Sequence, residues 1–408
     1  MVALSGFSDE PGTTPQMPAI TVLCDRVGDV GGAERYWETV LPVLASHGSV
    51  TLLAREITGA APRGIGVRAI GWGGEDDPPS PNAARLVAGE LERNPADVVV
   101  TASVFDTAVL DAVRQRAPRW LVRLHDHRSF CPTGDRVFPQ FEAVCSAPMG
   151  ASCRGATVVR GCVHGPRPSS FRRIAEREAL RDRIARADGV LISSEHMRAT
   201  CLANGITSER ISITPPPLPD EAFADPVAAR PPERTLLFAS RLTARKGLRS
   251  LLRALAQIRL AERPLLVVAG EGEDEERAAR AQAARDGVGV EWLGHLSAAQ
   301  LREAIDRADA IAVPSLWPEP FGLIGIEAQA RGRPAVAYDV GGIGDWIAGA
   351  GIAVRRGDES ALAAAIRTVL DERAWKNLSA TAREGAETYR LDGHVERLLD
   401  LFHGGVPA

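Results

Sequence analysis

The chain has 408 residues, of which 45% are hydrophobic and 25% are charged, and its formal net charge is −4 at neutral pH. This length leaves room for two domains of ordinary size, and the composition is that of a soluble globular protein. A weakly acidic chain gives no general case for nucleic-acid binding, and no apolar run approaches the roughly 20 residues that span a bilayer.

The N-terminal segment, residues 1–18, has no basic region followed by an apolar core, so it lacks the pattern of a signal peptide. We expect a flexible tail at these residues. We also expect a cytoplasmic protein, in which cysteines stay reduced or bind a metal.

Short apolar runs of the kind that form buried strands recur through the first half of the chain, and helical patterns lie between several of them. The first run is followed by a glycine-rich turn and an amphipathic pattern. This alternation predicts a parallel, doubly wound sheet. The predicted strands are residues 20–24, 50–53, 98–101, 120–124 and 190–193.

A proline-rich stretch, ITPPPLP at residues 213–219, interrupts the alternation. Such a run forms neither a helix nor a central strand, so it predicts an interdomain linker. A second alternation then predicts a second doubly wound domain. Ligands bind beyond the carboxyl ends of such strands, so two facing domains form one cleft. The predicted strands here are residues 235–239, 265–269, 290–293, 310–313, 335–338 and 352–354.

The stretch SRLTARKG follows the first strand of the second domain and places Arg241 and Lys246 five positions apart. The guanidinium can bind phosphate oxygens with two parallel hydrogen bonds, and the ammonium adds a point charge. We therefore consider this stretch a candidate anion site. The alternative is an ordinary solvated basic turn.

The stretch SLWPEPFGLIGIEAQARG contains two glutamates, Glu319 and Glu327, separated by seven uncharged residues. The prolines predict that Glu319 lies in a turn and that a helix starts near Gly322 and Leu323, with Glu327 in its first turns. The free backbone N–H groups of Phe321, Gly322 and Leu323 would then point at an anion. The alternative is that the two glutamates are a capping acid and a surface residue.

These stretches together resemble the retaining glycosyltransferases of family 4, whose GT-B architecture has two facing Rossmann-like domains. The resemblance is carried by SRLTARKG and by EPFGLIGIEAQARGRPAVAYDVGGIGDWI. It extends to GGAER at residues 31–35, similar to the family's first glycine loop, to RLHD around His125, and to SSEHMR at residues 193–198. Asp345 stands where the family often has glutamate, and we give it no role.

The resemblance implies a role for each matching residue. Arg241 and Lys246 would hold the donor diphosphate and stabilise the departing charge, and Glu327 would accept hydrogen bonds from the ribose hydroxyls. Glu319 would contact the donor sugar near its reacting carbon, and His125 would contact the sugar or the transferred group. The expected catalytic set is thus Glu319, His125, Arg241 and Lys246, and the expected donor-binding set is completed by Gly31, Gly32, Phe321, Gly322, Leu323, Glu327 and His295.

The implied domains are an acceptor-side domain at 19–214 and a nucleotide-sugar domain at 215–386, with a C-terminal helix at about 387–408 returning to the first domain. The implied reaction moves a sugar with retention from a UDP- or GDP-sugar to a hydroxyl of a glycan, lipid-linked or small-molecule acceptor. No two aspartates stand two positions apart, so we expect chemistry without a metal or other cofactor. We expect no nucleic-acid partner and at most peripheral membrane contact.

Two other functions share this architecture. A sugar-nucleotide epimerase would bind a similar donor, although the paired glutamates combined with Arg241 and Lys246 favour the transferase. A non-catalytic partner would keep the fold without turnover, and the intact set of polar residues argues against it.

The segment at residues 127–165 follows His125 and shows neither helix nor strand periodicity. A structureless stretch of this length is unusual inside a domain. Its cysteines predict a structural zinc site that would shape the acceptor side of the cleft, with an iron–sulfur cluster as the second choice. Unpaired thiols and disulfides remain alternatives, since no Cys-x2-Cys pair is present. The candidate ligands are Cys131, Cys145, Cys153 and Cys162, and His164 could replace one of them.

Overall fold

A computed structural model describes residues 17–28, 31–62, 64–141, 143–223, 230–231 and 233–404. Residues 1–16 of the predicted N-terminal tail lie outside this range. No helix in the described ranges is long and apolar enough to cross a membrane.

The first domain is built on a seven-stranded parallel sheet with the strand order β3-β2-β1-β4-β5-β6-β7. Its strands are β1 (Ile20–Val27), β2 (Val50–Ile57), β3 (Gly66–Ala69), β4 (Val98–Ala102), β5 (Arg119–Arg123), β6 (Gly189–Ile192) and β7 (Ile211–Ile213). Its helices are α1 (Gly32–His47), α2 (Pro81–Arg93), α3 (Thr107–Arg116), α4 (Ala151–Arg160), α5 (Arg167–Ile184) and α6 (Glu195–Ala203).

The second domain is built on a six-stranded parallel sheet with the order β10-β9-β8-β11-β12-β13. Its strands are β8 (Thr235–Ala239), β9 (Leu265–Ala269), β10 (Val290–Gly294), β11 (Ala310–Val313), β12 (Ala335–Asp339) and β13 (Gly351–Arg355). Its helices are α7 (Leu248–Ala256), α8 (Glu273–Asp286), α9 (Ala298–Asp306), α10 (Leu323–Ala330), α11 (Gly344–Ile347), α12 (Glu359–Val369) and α13 (Glu372–Ala386), and the last helix is α14 (Leu391–Phe402).

The predicted pair of doubly wound parallel sheets is therefore confirmed. In each sheet the order reverses beside the first strand, so the crevice beyond the carboxyl ends of the strands is the expected ligand position. The central strands are apolar on both faces, as parallel strands covered by helices must be. Leu23 packs in the cluster on one face of the first sheet, whereas Val22 packs in the cluster on the other.

Helix starts in both domains follow from capping side chains. The Ser80 hydroxyl accepts from the Ala83 N–H at the start of α2, and the Asp106 carboxylate accepts from the Ala108 N–H at the start of α3. Ser297 and Gln300 form a reciprocal capping box at α9. Each bond satisfies a backbone donor that the helix itself leaves free.

The chain passes between the domains twice, and the two passages lie side by side. The Leu218 N–H donates to the Tyr389 carbonyl at 2.7 Å, next to an isolated bridge between Leu218 and Arg390. Beyond this point α14 packs on the first domain, where Val395 and Leu398 share a buried cluster with β1 and α1.

The cysteine-bearing segment is more regular than we expected. A short antiparallel bridge joins Val137 to Val144, and α4 follows it. The helix was missed because its sequence, ASCRGATVVR, contains a central glycine and β-branched residues, which are weak helix formers. Thr157 is the one residue of α4 that is buried, so apolar periodicity is absent from the sequence.

Candidate functional site

Glu319 and Glu327 of the stretch SLWPEPFGLIGIEAQARG lie on either side of the start of one helix, as the sequence predicted. The turn Pro318–Pro320 follows β11, and Gly322 precedes α10 with a φ of 98°. This left-handed conformation is one that glycine adopts without a steric penalty. Glu319 lies in the turn and Glu327 lies in α10, so the two carboxylates do not share a helix face.

Glu319 is a buried carboxylate, 5% exposed, with several donors. Its Oε1 accepts a hydrogen bond from the Lys246 ammonium at 2.7 Å and another from the Ser315 hydroxyl. Burial alone would raise its pKa. The charge of Lys246 and these hydrogen bonds outweigh burial, so the pKa of Glu319 is held below its ordinary value. Glu319 is therefore an ionised group inside the protein.

Gly341 explains how the Glu319 turn is held against the rest of the second domain. A Cβ atom on Gly341 would lie 2.4 Å from the Glu319 nitrogen and 2.3 Å from its carbonyl oxygen. Only glycine permits this approach. The next residue, Gly342, donates its N–H to the Glu319 carbonyl at 2.7 Å.

Glu327 makes a contact across the domains. Its Oε1 lies 3.5 Å from the Arg35 guanidinium of α1. The pKa of Glu327 is raised, because burial disfavours its charged form more than Arg35 favours it. Glu327 is thus a carboxylate with spare hydrogen-bonding capacity facing the cleft.

The basic pair stands at the carboxyl end of β8. Lys246 is held by Glu319, and its ammonium lies 5.4 Å from the centre of the Trp317 indole ring. Arg241 is exposed, and within the described part of the chain its guanidinium has no hydrogen-bond or ion-pair partner. The two predicted cations therefore differ: one is positioned by a buried carboxylate and the other is free to bind an anion. His295 is exposed just beyond β10.

The N-termini of two helices approach each other across the cleft. Gly31 precedes α1, and a Cβ atom on Gly32 would lie 3.2 Å from the Cδ1 of Leu323, the first residue of α10. Both helix ends carry free N–H groups and partial positive charge. The structure thus brings together Gly31, Gly32, Phe321, Gly322 and Leu323, although these residues are almost 300 positions apart in the sequence.

His125 lies just beyond β5, with its ring 5.2 Å from the ring of Tyr36. Its Nε2 atom is buried and has no hydrogen-bond partner among the described residues. Burial, with the charges of Arg123 and Arg128, lowers the pKa of His125 well below its ordinary value. The ring is therefore neutral and can donate or accept one hydrogen bond to a ligand.

Several hydrogen bonds between the two domains were not predicted from the sequence. His127 Nε2 lies 2.8 Å from the Pro318 carbonyl, and the hydroxyls of Ser193 and Ser194 both donate to the Pro320 carbonyl. The Asp345 carboxylate accepts from the Glu195 N–H at 2.6 Å. The sequence signals were present, in the HDH stretch and in SSEHMR, but their partners lie in the other domain.

The predicted metal site at the cysteines is not supported. Among the residues that the structure describes, no group of three or more His, Cys, Asp or Glu side chains is arranged to hold a metal ion. Burial, with the neighbouring thiols Cys131, Cys145 and Cys153, raises the pKa of Cys162 to about 11. Cys131 Sγ instead lies 3.3 Å from the Thr133 hydroxyl and accepts from the Arg136 N–H. The four predicted ligands, Cys131, Cys145, Cys153 and Cys162, are free thiols.

Comparison with protein families gives one match for each domain. Residues 31–217 match the family described as glycosyl transferase 4-like domain. Residues 220–388 match the family described as glycosyl transferases group 1.

Among curated proteins, the chain is 35% identical to a glycogen synthase of Mycobacterium tuberculosis over 176 residues, which is 41% of each chain. The match thus spans about two fifths of that relative's length. The chain is 27% identical to a D-inositol 3-phosphate glycosyltransferase of Xylanimonas cellulosilytica over 97% of this chain and 93% of the relative.

Among solved structures, the fold is similar to that of Anabaena Alr3699/HepE in complex with UDP-glucose. The TM-score is 0.69 at 16% identity, and the alignment covers 94% of this chain and 99% of that protein. This likeness establishes the two-domain fold.

Proposed function

We propose that this chain, which belongs to the group 1 glycosyl transferases with GT-B architecture, transfers a sugar from a nucleoside diphosphate to a hydroxyl acceptor with retention at the reacting carbon. The donor is a UDP- or GDP-sugar. Support comes from relatives named as glycosyltransferases and from a structural neighbour that binds UDP-glucose.

One observation carries the proposal: the exposed Arg241 guanidinium, which has no partner among the described residues, stands by the same cleft as the N-termini of α1 and α10 and the Lys246–Glu319 pair. At this edge Lys246 is paired with Glu319, whereas no negative charge among the described residues balances Arg241. A diphosphate supplies that charge, and Arg241 can bind two of its oxygens at once.

The proposed chemistry assigns each group a task in breaking the bond between the sugar and the diphosphate. Arg241, Lys246 and the helix ends stabilise the charge on the departing phosphate, without a metal ion. Glu327 accepts hydrogen bonds from the ribose hydroxyls, and Glu319 accepts one from a sugar hydroxyl. The acceptor oxygen bonds to the sugar carbon on the face that the phosphate leaves, and a phosphate oxygen takes the acceptor's proton.

His125 has a compatible position in this scheme. Its neutral ring has a buried Nε2 without a partner in the part of the chain that the structure describes, and this atom can hydrogen-bond a sugar hydroxyl at small cost, since the nitrogen has already lost its water. Neutrality also avoids repulsion between the ring and a positively charged transition state at the sugar.

The test measures nucleotide release from UDP- and GDP-sugars, with and without a panel of hydroxyl acceptors, together with donor binding by calorimetry. We expect acceptor-dependent release. Sugar isomerisation without nucleotide release would instead identify an epimerase, and failure to bind any donor would support the non-catalytic alternative.

A matched pair of variants connects the assay to the site. Arg241→Ala should weaken donor binding by about tenfold or more, the usual loss for a charge-assisted hydrogen bond to phosphate. Arg234→Ala removes an exposed arginine from the opposite end of the same strand and should leave donor binding unchanged. Equal binding by both variants would contradict the assignment of the diphosphate site.

A further inference from the structure

The turn that carries Glu319 is held by the other domain through its backbone. The carbonyl oxygens of three consecutive residues, Pro318, Glu319 and Pro320, all accept hydrogen bonds. The middle carbonyl is bound by Gly342 of the second domain. The two outer carbonyls are bound by side chains of the first domain, so the turn is fixed from both sides of the cleft.

We propose that His127, together with Ser193 and Ser194, positions the catalytic carboxylate Glu319, so that the carboxylate reaches its working geometry only when the two domains are docked. This inference rests on the proposed function, because it concerns the residue assigned to the donor sugar. His127 touches no reacting atom, and its effect passes through the Pro318 carbonyl.

The hydrogen-bond geometry fixes the tautomer of His127. A carbonyl oxygen can only accept, so the Nε2 atom at 2.8 Å must carry the hydrogen. Burial, with contributions from His196 and Arg136, lowers the pKa of His127 to about 3. The ring is therefore neutral with a bare Nδ1 atom, and this atom has no partner in the described part of the chain.

Simple packing does not explain a histidine at this position. His127 is fully buried, with its ring 5.4 Å from the ring of His196 and 6.0 Å from that of Trp317. Burying an unsatisfied nitrogen costs free energy that leucine or phenylalanine would avoid. The Nε2 donor to the Pro318 carbonyl is the one interaction of the ring that an apolar residue could not replace.

The second outer carbonyl, that of Pro320, accepts two hydrogen bonds from the first domain. Ser193 Oγ donates to the Pro320 oxygen at 3.1 Å and Ser194 Oγ at 2.6 Å, and a carbonyl has two lone pairs to receive them. The Ser194 hydroxyl also accepts from the Met197 N–H at the start of α6. Ser194 therefore has a capping role as well, which makes Ser193 the cleaner residue to change.

The two domains fix different parts of the turn around Glu319. Lys246 and Ser315, both in the second domain, fix its carboxylate, whereas the first domain fixes the peptide groups on either side. Opening the cleft would release the Pro318 and Pro320 carbonyls and leave Glu319 held by Lys246 and Ser315 at its carboxylate and by the Gly342 N–H at its carbonyl. A displacement of about 1 Å in such a group is enough to reduce turnover strongly.

The test compares His127→Leu, which removes the donor, with His127→Gln, whose side-chain amide can still donate to the Pro318 carbonyl. We expect His127→Leu to lower kcat at least tenfold while the donor Kd stays within threefold of wild type. His127→Gln should retain kcat within threefold. Asp135→Asn is the control, since it breaks a different contact between the domains, the ion pair with Arg245, and should keep kcat.

A second readout does not depend on activity. Hydrogen–deuterium exchange of peptides covering residues 315–325 should be faster in His127→Leu than in wild type and unchanged in His127→Gln. Ser193→Ala should give a smaller increase, and it keeps the proposal testable if the leucine variant does not fold. If the wild type binds donors but transfers nothing, the proposed function fails, and the exchange data still decide the positioning role.

Two results would overturn the inference. One is unchanged kcat and unchanged exchange in His127→Leu. The other is an equal loss of kcat and thermal stability in the leucine and glutamine variants, which would show that His127 serves packing alone.

Discussion

At the scale of single residues, the two glutamates of the cleft differ in how the protein treats their charge. Glu319 is buried with Lys246 as its partner, so its ionised form is stabilised. Glu327 faces Arg35 at 3.5 Å, a contact too long and too exposed to compensate for burial. A carboxylate kept at the expense of stability is typical of a binding group.

This difference predicts an unusual stability effect for Glu327→Gln. The pKa of Glu327 is higher in the folded protein than in the unfolded chain, so folding favours its protonated form. Glu327 therefore does not lower the stability of the folded protein below the unfolded-state pKa. Its ionisation lowers that stability as the pH rises through the folded-state pKa. Glutamine cannot ionise, so the variant should have a higher Tm than wild type at pH 8 and an equal Tm below about pH 4.

Thermal unfolding at several pH values measures this effect, and calorimetry with the donor should show binding about tenfold weaker, because a charged acceptor is lost. Glu384→Gln, on the exposed face of α13, controls for the change in net charge. A lower Tm for Glu327→Gln at pH 8 would mean that the contact with Arg35 outweighs burial.

At the scale of elements, the predicted and observed strands agree where burial determines the sequence. Strands β8, β9 and β11 were predicted with their observed bounds because they are apolar runs buried between two layers of helices. Strands β3 and β7 were missed. The first is mostly exposed, the second has three residues, and both lie at edges of the sheet, where a strand needs little apolar pattern.

The start of α10 was predicted from its prolines and glycines, but the support beneath it was not. The Trp346 indole donates to the Phe321 carbonyl at 2.7 Å, and Gln329 donates to the Trp346 carbonyl at 2.6 Å. Trp346 thus connects the loop before α10 with the last turn of the helix. Its ring packs against Gly325, where a Cβ atom would approach a ring carbon to 2.3 Å.

This packing predicts the effect of Gly325→Ala. Alanine in a helix interior normally gains up to about 1 kcal/mol over glycine. Here the methyl group would displace the Trp346 ring, and such overpacking costs about 1–3 kcal/mol. We expect lower stability and weaker donor binding, because the indole could no longer hold the Phe321 carbonyl.

The matched control is Gly155→Ala in α4, where a Cβ atom would meet no other atom within 4 Å. This variant should be more stable than wild type by about 0.5–1 kcal/mol, with unchanged donor binding. Denaturant unfolding and calorimetry measure both quantities. An increase in stability for both variants would show that Trp346 can move aside freely.

At the scale of the whole molecule, the contacts that join the domains were beyond prediction from one sequence. His127 and Pro318 are 191 positions apart, and Arg35 and Glu327 are 292 apart. Periodicity reports which face of an element is buried, but it does not report which distant element covers that face. The cleft residues could be identified from motifs, whereas the residues that hold the two halves together could be seen only in the fold.

The C-terminal helix α14 follows the second domain in the sequence but packs on the first domain. Leu398 of α14 is 1% exposed in a cluster with residues of β1 and α1, although it follows the whole second domain in the sequence. Leu398→Ala should therefore destabilise the first domain, by about 2–5 kcal/mol for a buried leucine. Leu362→Ala, from α12 in the core of the second domain, is the matched control.

Hydrogen exchange resolves the two domains within the intact chain, because local stability is measured separately at each strand. In Leu398→Ala the amides of β1 and β4 should exchange faster while those of β8 and β9 keep their wild-type rates, and Leu362→Ala should give the reverse pattern. Faster exchange at β8 in Leu398→Ala would mean that the domains unfold as one unit, with α14 tying the second domain to the first. Independent exchange would mean that the cleft can open while both cores stay folded. The proposed positioning of Glu319 by domain docking through His127 requires this property.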